Sequence, residues 1–314
     1  MRIFMAPEGT KHRTPPGFPE CPERVTGLWP HLEQKGWDVV HSLPQAEVEA
    51  AILAVHDPDY VRRFRRAVER GDGLLDSADN PLSAGTWDTA ESAVAASLAA
   101  AEWMLDPADS NAGRSAFVAT RPPGHHAEKA TAMGFCYFNN VAVVAEHLVR
   151  HHGLERVAIF DFDVHHGNGT QHLFEDRADI AYVSTHQFPF YPGTGAAHAK
   201  GLGAGRGATL NVPLEAGTGD EGFEEAFEQQ VFPFLREFAP DFLLISAGFD
   251  AWIRDPLGGM QVSEEGFRSW GQKLGHLAQE VCGGRMVSLL EGGYDLERLP
   301  VLVERYLEGL SEAV

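Results

Sequence analysis

Short apolar segments alternate with helix-like segments along most of this chain, and this alternation restricts the fold more than any other feature of the sequence. Residues 156–161 are typical of a buried strand, whereas residues 140–151 are typical of a helix that ends at Gly153. Further strands are predicted at residues 2–5, 39–41, 115–120, 180–185, 208–212, 241–246 and 285–290, and further helices at residues 58–70, 85–105, 222–238, 264–281 and 296–310. Such an alternation predicts an α/β fold, with a central parallel β-sheet flanked by helices on both faces.

Histidines and carboxylates concentrate just after the predicted strands. In an open α/β sheet, the carboxyl ends of the strands form the edge where ligands bind. The segments that place such residues at this edge are His125–His126, residues 161–168, residues 184–186, Asp250 and residues 291–294. The sequence therefore predicts a functional site at that edge of the sheet.

The most informative of these segments contains Asp161, Asp163 and His165, in the sequence Asp-Phe-Asp-Val-His. Side chains two positions apart on an extended backbone point to the same side, so a carboxylate and an imidazole can bind one metal ion. A catalytic zinc ion takes about three protein ligands and keeps one position open for water. Asp163 and His165 supply two ligands. Asp250, after another buried strand, is the better candidate for the third and Glu291 the weaker, although Asp250 could instead cap a helix or a turn.

His125, His126 and Tyr294 supply groups suited to proton transfer and hydrogen-bond donation. The imidazole pKa lies near neutrality, so one histidine could take a proton from water and return it to a leaving amine. Tyr294 follows two glycines that let the chain turn sharply, and its phenol could donate to a developing oxyanion or simply pack at the turn. Phe135 and Tyr191 lie beside glycine-rich loops and could wall a slot for an alkyl chain, although core packing is the usual role of such residues.

The composition limits the partners of the protein. The chain has 25 Lys and Arg against 45 Asp and Glu, a formal net charge of −20, which would repel nucleic acids. This charge would attract cationic partners such as lysine-rich protein tails or polyamines; the alternatives are solubility and adaptation to a salty cytoplasm. The three cysteines have no CxxC spacing, which fits a reducing cytoplasm and argues against a thiolate zinc site.

The organisation of the chain suggests one soluble unit. We find no long linker, repeat or low-complexity segment, so we expect a single domain over residues 1–314. The sequence has no apolar run of about 18 residues and no signal peptide. We therefore expect a cytoplasmic protein that does not associate with membranes, and the sequence leaves its oligomeric state open.

Taken together, these segments resemble the zinc-dependent histone deacetylase family, which includes the bacterial acetylpolyamine amidohydrolases. The matching motifs lie at residues 121–127, 134–140, 161–171, 191–195, 246–259 and 291–294. Asn168 and the Glu-Gly-Gly-Tyr form of the last motif resemble the class II branch of the family. The resemblance implies an arginase/deacetylase fold with a central parallel sheet.

The resemblance also implies the roles of the site residues. Zinc would be bound by Asp163, His165 and Asp250, the ligands that the residues themselves suggest. His126 would act as the general base and acid, with His125 as its electrostatic partner.

Three further residues would support this chemistry. Tyr294 would polarise the acetamide carbonyl group of the substrate. Asp161 would support His125 from behind, as carboxylates around metal sites commonly do. Asn168 stands where many members of the family have an aspartate beside the second histidine.

The resemblance implies a substrate tunnel as well. Phe135 and Tyr191 would wall it, and the Gly134 carbonyl group would accept a hydrogen bond from the substrate amide. Asp79 matches an acidic residue at the rim. Leu257 stands where a specialised polyamine deacetylase has a glutamate, which favours acetyl-lysine as the substrate.

The family also binds monovalent cations, so potassium is expected beside zinc. The first expected site comprises Asp161, the carbonyl groups of Asp163 and His165, Ser184 and Thr185. The second, more peripheral site comprises Phe174, Arg177 and Ile180.

We therefore expect zinc-dependent hydrolysis of an N-acetyl amide on a primary alkyl amine, with acetyl-lysine in proteins or peptides as the substrate. An acetylpolyamine amidohydrolase is the main alternative. An arginase-like hydrolase with two manganese ions is disfavoured because such a site needs about six protein ligands. A non-catalytic relative that only binds acetylated ligands is disfavoured because Tyr294 and the expected zinc ligands are all present.

Overall fold

A parallel sheet forms the centre of the computed structural model, which describes residues 1–41, 48–106 and 115–313. Its strands are β1 (Arg2–Phe4), β2 (Asp38–Val40), β3 (Leu74–Leu75), β4 (Ser77–Pro81), β5 (Ala116–Val118), β6 (Val157–Asp161), β7 (Ile180–Gln187), β8 (Thr209–Leu214), β9 (Phe242–Ala247) and β10 (Met286–Leu290). β3 and β4 form a separate antiparallel hairpin. The other eight strands pair in parallel in the order β2-β1-β5-β10-β9-β6-β7-β8, which confirms the predicted fold class.

Helices cover both faces of this sheet. In the described part of the chain they are α1 (Glu23–Gln34), α2 (Val48–Val55), α3 (Pro58–Arg70), α4 (Thr86–Leu105), α5 (Asn140–His152), α6 (Asn168–Phe174), α7 (Asp220–Ala226), α8 (Phe232–Phe238), α9 (Glu264–Cys282) and α10 (Leu299–Glu312). One hydrophobic core contains side chains of α1, α7, α8, α9 and α10, and the other contains side chains of α2, α3, α4 and α5.

The strands divide their side chains between these two cores. In β6, Ala158 and Phe160 pack with the first core, whereas Val157 and Ile159 pack with the second. Alternate side chains of a strand point to opposite faces, so a strand covered on both faces is apolar at every position. This is why the sequence of β6 reads as a continuous apolar run.

The ends of α3 and α9 follow the signals in the sequence. The Asp57 carboxylate accepts a hydrogen bond from the backbone N–H of Asp59, and Pro58 occupies the first helical position. The Ser263 side chain accepts from the backbone N–H of Gly266 at the start of α9. The predicted helix starts at these two positions are confirmed.

The helix predicted at residues 222–238 is interrupted. α7 and α8 are separated by a π-helical segment over Phe227–Val231, and Pro233 lies in the first turn of α8. Proline has no backbone N–H, and its ring clashes with the carbonyl group four residues earlier in a regular helix. The wider π-helical turn before Pro233 is consistent with this constraint.

The strand order gathers the loops that carry the polar motifs. β5, β10, β9, β6 and β7 are consecutive neighbours in the sheet, although β10 comes last in the sequence and β5 early. Parallel strands share the direction of their carboxyl ends, so the loops after these strands meet at one edge. Four of the five segments singled out in the sequence begin at or after the ends of these strands, whereas residues 184–186, expected to follow a strand, lie within β7, which extends to Gln187.

Candidate active site

Three side chains that could bind a metal ion meet at the edge formed by the carboxyl ends of the parallel strands. We call them the ligand group: Asp163, His165 and Asp250. Asp163 and His165 follow β6, and Asp250 follows β9. His165 Nδ1 lies 3.1 Å from Asp163 Oδ1 and 3.2 Å from Asp250 Oδ2. All three side chains are buried, and their ligand atoms lie within 4.8 Å of one another. The structure thus brings together the three residues that the sequence nominated.

Backbone hydrogen bonds orient the two carboxylates of the ligand group. Asp163 Oδ2 accepts from the N–H of Gly292 at 2.8 Å, and Asp250 Oδ1 accepts from the N–H of Val164 at 2.9 Å. The remaining oxygens therefore face His165. Burial, and then the nearby Asp163 carboxylate, raises the pKa of Asp250, so two carboxylates at this site need a positive counter-charge.

The ligand group fits a divalent cation. Two carboxylate oxygens and one imidazole nitrogen are ligands that zinc accepts, and three protein ligands leave a coordination position open. Two glycines keep space beside the ligand group: a Cβ at Gly292 would meet Asp163 Oδ2 and Asp250 Oδ2, and a Cβ at Gly248 would meet Asp163. The close approach of the backbone at these positions leaves no room for a larger residue.

Glu291, the weaker ligand candidate, lies outside the ligand group. Its carboxylate accepts from the backbone N–H groups of Gly124 at 2.6 Å and His125 at 3.2 Å, and from the Ser246 hydroxyl at 3.2 Å. Burial raises the pKa of this carboxyl to about 7. Glu291 therefore holds the loop that carries the two histidines, a role that its position after β10 alone did not reveal.

The rings of His125 and His126 lie side by side next to the ligand group, with centroids 4.0 Å apart and tilted by 44°, yet their partners differ. His125 Nδ1 pairs with Asp161 Oδ2 at 3.0 Å, whereas His126 Nδ1 pairs with the neutral Asn168 at Oδ1, 2.8 Å away. Tyr182 also donates its phenolic hydrogen to Asp161, at 3.2 Å. One histidine of the pair therefore has a charged partner and the other does not.

The pKa values of the two histidines diverge for this reason. Burial lowers the pKa of His125, but the carboxylates of Asp161, Asp163 and Glu291 outweigh it and raise the pKa to about 10. Burial, and then the positive charge of His125, lowers the pKa of His126 well below its usual value. His126 is thus neutral at pH 7 and able to accept a proton.

Tyr294 lies on the other side of the site in the loop after β10. Its backbone N–H donates to Asp255 Oδ2 at 2.7 Å, and the guanidinium of the buried Arg24 lies 4.9 Å from the centre of its ring. Arg24 Nε also donates to the carbonyl oxygen of Gly293 at 2.8 Å. Burial raises the pKa of Tyr294 well above 10, so its phenol keeps its hydrogen and can donate it.

Sequence reasoning missed Arg24 and its partners. The buried Glu20 carboxylate accepts two hydrogen bonds from Arg121, at 2.8 and 2.6 Å, and contacts Arg24 Nη1 at 3.4 Å. Arg121 belongs to a recognised motif, but nothing in the composition distinguishes a buried arginine from the exposed ones. Arg24 is connected to the site through the loop after β10, where it contacts the carbonyl groups of Glu291 and Gly293 and the ring of Tyr294.

A cavity of about 240 Å³ opens beside the ligand group and the phenol of Tyr294. Its lining residues are Asp79, His126, Gly134, Phe135, His165, Phe190, Tyr191, Leu257 and Tyr294. All five residues predicted for the tunnel therefore line one cavity. Phe190, which the sequence analysis did not select, stacks on His165 with ring centroids 5.4 Å apart and an interplanar angle of 16°.

The turn that carries Phe135 explains the glycine before it. Gly134 and Phe135 both have positive φ angles, of 57° and 68°. A Cβ at Gly134 would meet the His126 ring, so only glycine lets this loop pass close to the imidazole. The Phe135 ring contacts Tyr294 and Phe18, with centroid distances of 5.8 and 5.2 Å.

The residues expected at the two cation sites lie in two places. Ser184 and Thr185 are buried in β7, which pairs with β6 at Asp161, and Thr185 Oγ1 has no hydrogen-bond partner among the described residues. Asp161 pairs with Ser184 in the register of β6 and β7, so these two side chains share one face of the sheet. Phe174, Arg177 and Ile180 lie around the turn between α6 and β7.

Over residues 1–41, 48–106 and 115–313, no helix is both long and apolar enough to cross a bilayer. The expected cytoplasmic location, the lack of nucleic-acid partners and the single domain stay predictions.

Comparisons with known proteins agree with this geometry. A family model described as the histone deacetylase domain matches residues 18–310. A probable deacetylase of Archaeoglobus fulgidus is 37% identical over 299 residues, which cover 94% of this chain and 81% of that protein. A histone deacetylase-like amidohydrolase of Pseudomonas aeruginosa is 37% identical over 301 residues, which cover 94% of this chain and 77% of that protein.

A solved structure is similar over the whole length of the chain. The crystal structure of an acetylpolyamine aminohydrolase from Burkholderia pseudomallei superposes with a TM-score of 0.88 at 31% sequence identity. The superposition covers 100% of this chain and 99% of that chain.

Proposed function

This chain belongs to the histone deacetylase family and has the arginase/deacetylase fold that its motifs predicted, and we propose that it is a zinc-dependent deacetylase. The reaction is hydrolysis of the N-acetyl amide of a primary alkyl amine, which yields acetate and the free amine. One observation carries the proposal: His165 of the ligand group, the neutral His126 and Tyr294 all line one aromatic-walled cavity, and the other two possible ligands, Asp163 and Asp250, lie against His165. We also propose that residues 1–314 form a single catalytic domain.

The ligand group, His126 and Tyr294 have different roles in the proposed reaction. A bound zinc ion would polarise the amide carbonyl and lower the pKa of a water molecule, and Asp163, His165 and Asp250 would hold it. His126 takes a proton from the attacking water as the C–O bond forms. It returns that proton to the nitrogen as the C–N bond breaks. Tyr294 donates its hydroxyl hydrogen to the oxygen of the former carbonyl group, which becomes negative as water adds.

His125 and Asp161 support this proton transfer without moving a proton themselves. The carboxylates around His125 keep it positively charged, and this charge keeps the adjacent His126 neutral until the reaction requires it. Tyr182 donates to Oδ2 of Asp161, the same oxygen that pairs with His125, and the backbone N–H of Asp163 donates to Oδ1, so both oxygens of the carboxylate are fixed. This arrangement resembles the carboxylate–histidine pairs that orient catalytic imidazoles.

Acetyl-lysine in a protein or peptide is the substrate that we favour. The cavity has apolar walls at Phe135, Tyr191 and Leu257, which suit the alkyl stem of lysine. Leu257 at the cavity carries no charge, whereas recognition of an internal ammonium group of a polyamine calls for a carboxylate there. An acetylpolyamine is the second candidate because Asp79 also lines the cavity and the whole surface is acidic.

We further propose that potassium binds behind the site. Asp161, Ser184 and Thr185 would hold it together with the carbonyl groups of Asp163 and His165, and the unpartnered Thr185 oxygen supports this assignment. A second ion would bind at the carbonyl groups of Phe174, Arg177 and Ile180. Removal of potassium should then lower activity without removing zinc.

A site for two metal ions is disfavoured by the bonds of the neighbouring carboxylates. Asp161 pairs with His125 and Tyr182, and Glu291 pairs with backbone N–H groups, so neither is free to bridge a second ion. We therefore expect one tightly bound zinc ion per chain.

Metal analysis needs one precaution. Glu102, His147 and His152 form a second group of possible ligands at the surface, where Glu102 Oε1 lies 2.6 Å and 2.8 Å from the two imidazole nitrogens. Zinc content should be measured in the variant H147A/H152A as well as in the natural protein. A stoichiometry of one in the double variant that falls to zero in D250N would support the proposed ligand group.

The activity test compares kcat/KM for an acetyl-lysine peptide, N-acetylputrescine and N8-acetylspermidine, with Tyr294→Phe as the control. We expect acetate release from all three and the highest kcat/KM for the peptide. A clear preference for either polyamine would assign the second candidate substrate. Zinc-loaded protein that binds the peptide but releases no acetate would contradict catalysis and favour a non-catalytic role.

A further inference from the structure

We propose that Glu128 is a positioning residue that fixes the amide group of Asn168 and thereby decides which nitrogen of His126 carries the hydrogen. The inference deepens the function proposed above and rests on it, because it concerns the residue assigned as the general base. Glu128 does not line the cavity; it acts on His126 through Asn168.

A chain of hydrogen bonds runs from His126 towards the surface. His126 Nδ1 lies 2.8 Å from Asn168 Oδ1, and Asn168 Nδ2 donates to Glu128 Oε1 at 2.6 Å. His172 Nδ1 lies 2.8 Å from the same Glu128 oxygen, and its side chain is 41% exposed. Asn168 is buried, so its amide group depends on these protein partners for its hydrogen bonds.

The carboxylate of Glu128 selects one orientation of the Asn168 amide. An amide can rotate by half a turn and exchange its oxygen and nitrogen with little change in shape. A carboxylate only accepts hydrogen bonds when ionised, so the NH₂ group must face Glu128. The rotated amide would place oxygen against oxygen and would lose a charge-assisted hydrogen bond.

The orientation of Asn168 in turn selects the tautomer of His126. Because the amide oxygen faces Nδ1, this nitrogen must carry the hydrogen of the neutral imidazole. The lone pair is then on Nε2. A general base must present its lone pair to the proton that it takes, and the wrong tautomer has none to offer there.

The surroundings keep Glu128 in place. Its backbone N–H donates to the carbonyl oxygen of Thr131 at 3.0 Å, and its carbonyl oxygen lies 3.1 Å from His56 Nδ1. The loop also lies tightly against α6, because a Cβ at Gly169 would meet the carbonyl group of Ala127. Glu128 and the start of α6 therefore form one packed unit.

Three variants of the zinc-loaded protein test the effect on catalysis. In E128A the Asn168 NH₂ group keeps only its longer contacts with the His126 carbonyl oxygen, at 3.4 Å, and with Met133 Sδ, at 3.3 Å. The rotated amide then becomes accessible, so kcat should fall by about tenfold while KM changes less than about twofold. E128Q can still offer an oxygen to the Asn168 NH₂ group and should recover most of the lost kcat. E175A is the control, because it removes a carboxylate at the C-terminal end of α6, the helix that begins with Asn168. Its kcat and KM should equal those of the natural protein.

The effect of E128Q on kcat in the N168D variant distinguishes a positioning role of Glu128 from a general loss of stability. In N168D, two carboxylates face each other at this position, and one of them must bind a proton or move away. E128Q should therefore raise the kcat of N168D, although the same substitution slightly lowers the kcat of the natural protein. A general loss of packing would lower the activity in both backgrounds.

Nitrogen-15 NMR of the imidazole groups gives a readout that does not depend on turnover. In the natural protein, the His126 signals should show hydrogen on Nδ1 and a lone pair on Nε2, and in E128A they should move towards a mixture. Unchanged kcat in E128A, or no gain from E128Q in N168D, would overturn the inference. If the natural protein releases no acetate at all, the proposed function fails, and the NMR comparison alone then decides the role of Glu128.

Discussion

Tyr294 differs from an ordinary tyrosine because burial raises the pKa of its phenol well above 10, which keeps the phenol protonated at neutral pH. It is only 8% exposed, and the Arg24 guanidinium lies over its ring. Arg24 therefore holds both the loop and the ring of the hydrogen-bond donor, and the carbonyl contact with Gly293 fixes the turn before it.

Removal of the Tyr294 hydroxyl should destabilise the transition state of the reaction and leave substrate binding and zinc binding almost unchanged. We expect Tyr294→Phe to lower kcat by about 100-fold, because one oxyanion donor is lost, while KM and zinc content stay almost unchanged. Tyr306→Phe is the matched control, since this buried tyrosine pairs with Ser288 at 2.8 Å far from the cavity. It should lose stability but keep kcat. Equal kcat in Tyr294→Phe and the natural protein would exclude the phenol from the reaction.

Glu20 should make the stability of the protein depend on pH in the acid range. Burial alone would raise its pKa, but Arg121 and then Arg24 lower it from 4.5 to about 2. The carboxylate therefore contributes stability above pH 4.5 that is lost as the pH falls towards 2. The shift corresponds to about 3 kcal/mol.

Urea unfolding from pH 7 to pH 2 tests this contribution. Glu20→Gln should be less stable at pH 7, because two buried arginines lose their partner, and its stability should decline less steeply below pH 4.5. Glu280→Gln removes an exposed partner of Arg236 and should leave the profile almost unchanged. Parallel profiles for Glu20→Gln and the natural protein would contradict the assigned pKa.

Single residues were predictable where a strand fixed their position. Asp163, His165 and Asp250 could be nominated because each follows an apolar run and carries a side chain that binds metals. Arg24 and Glu128 could not be nominated. The role of Arg24 depends on contacts with the loop after β10, which is distant in the sequence, and the role of Glu128 depends on its hydrogen bond to Asn168. Leu257 and Asp79 could be placed at the cavity only through the resemblance to a family.

At the scale of the elements, two loops approach the ligand group with no space for a side chain. Gly292 in the loop after β10 donates its backbone N–H to Asp163, and a Cβ there would meet both carboxylates. The loops after β9 and β10 therefore shape the ligand group through the backbone of Gly248 and Gly292.

Gly292→Ala should push the carboxylates apart and weaken zinc binding by about 100-fold or more. Gly153→Ala is the control, because this glycine ends α5 with a φ angle of 64° and has open space around its Cβ position. It should cost about 1 kcal/mol of stability and leave zinc affinity unchanged. Zinc titration of both variants, with circular dichroism to confirm folding, distinguishes the two effects. Natural zinc affinity in Gly292→Ala would refute the steric argument.

Elements with strong local signals were predictable and weaker ones were not. The helices that begin with Asp57 and Ser263 as caps were found, and so were the buried strands. The sequence analysis missed α1, which contains Pro30, and α6, whose first residues belong to a functional motif. The hairpin of β3 and β4 is too short to give a periodic signal.

At the scale of the whole molecule, the formal charge of −20 should steer cationic substrates towards the cavity. We expect kcat/KM for a lysine-rich acetylated peptide to fall several-fold as ionic strength rises, because screening shortens the range of attraction from about 10 Å at 0.1 M to about 3 Å at 1 M. The value of kcat should stay constant, since screening affects encounter and not the bond-breaking step. An acidic acetylated peptide is the control and should show no such fall. Equal salt dependence for both peptides would rule out steering.

The strand order is a property that local sequence does not contain. The sequence predicted parallel strands, because parallel pairing follows from the alternation with helices. It did not predict that β10 lies between β5 and β9, since partners that are far apart in the chain are selected by packing of the complete molecule.

That central position of β10 has a consequence for synthesis. A nascent chain on the ribosome lacks the middle of its sheet until residues 286–290 have been translated, after all the other strands of that sheet. Until then β5 and β9 each have an unpaired edge, which is open to incorrect pairing. The N–H of Gly292 and the phenol of Tyr294 follow β10 directly, so the last pieces of the candidate site are synthesised together with the strand that completes the sheet.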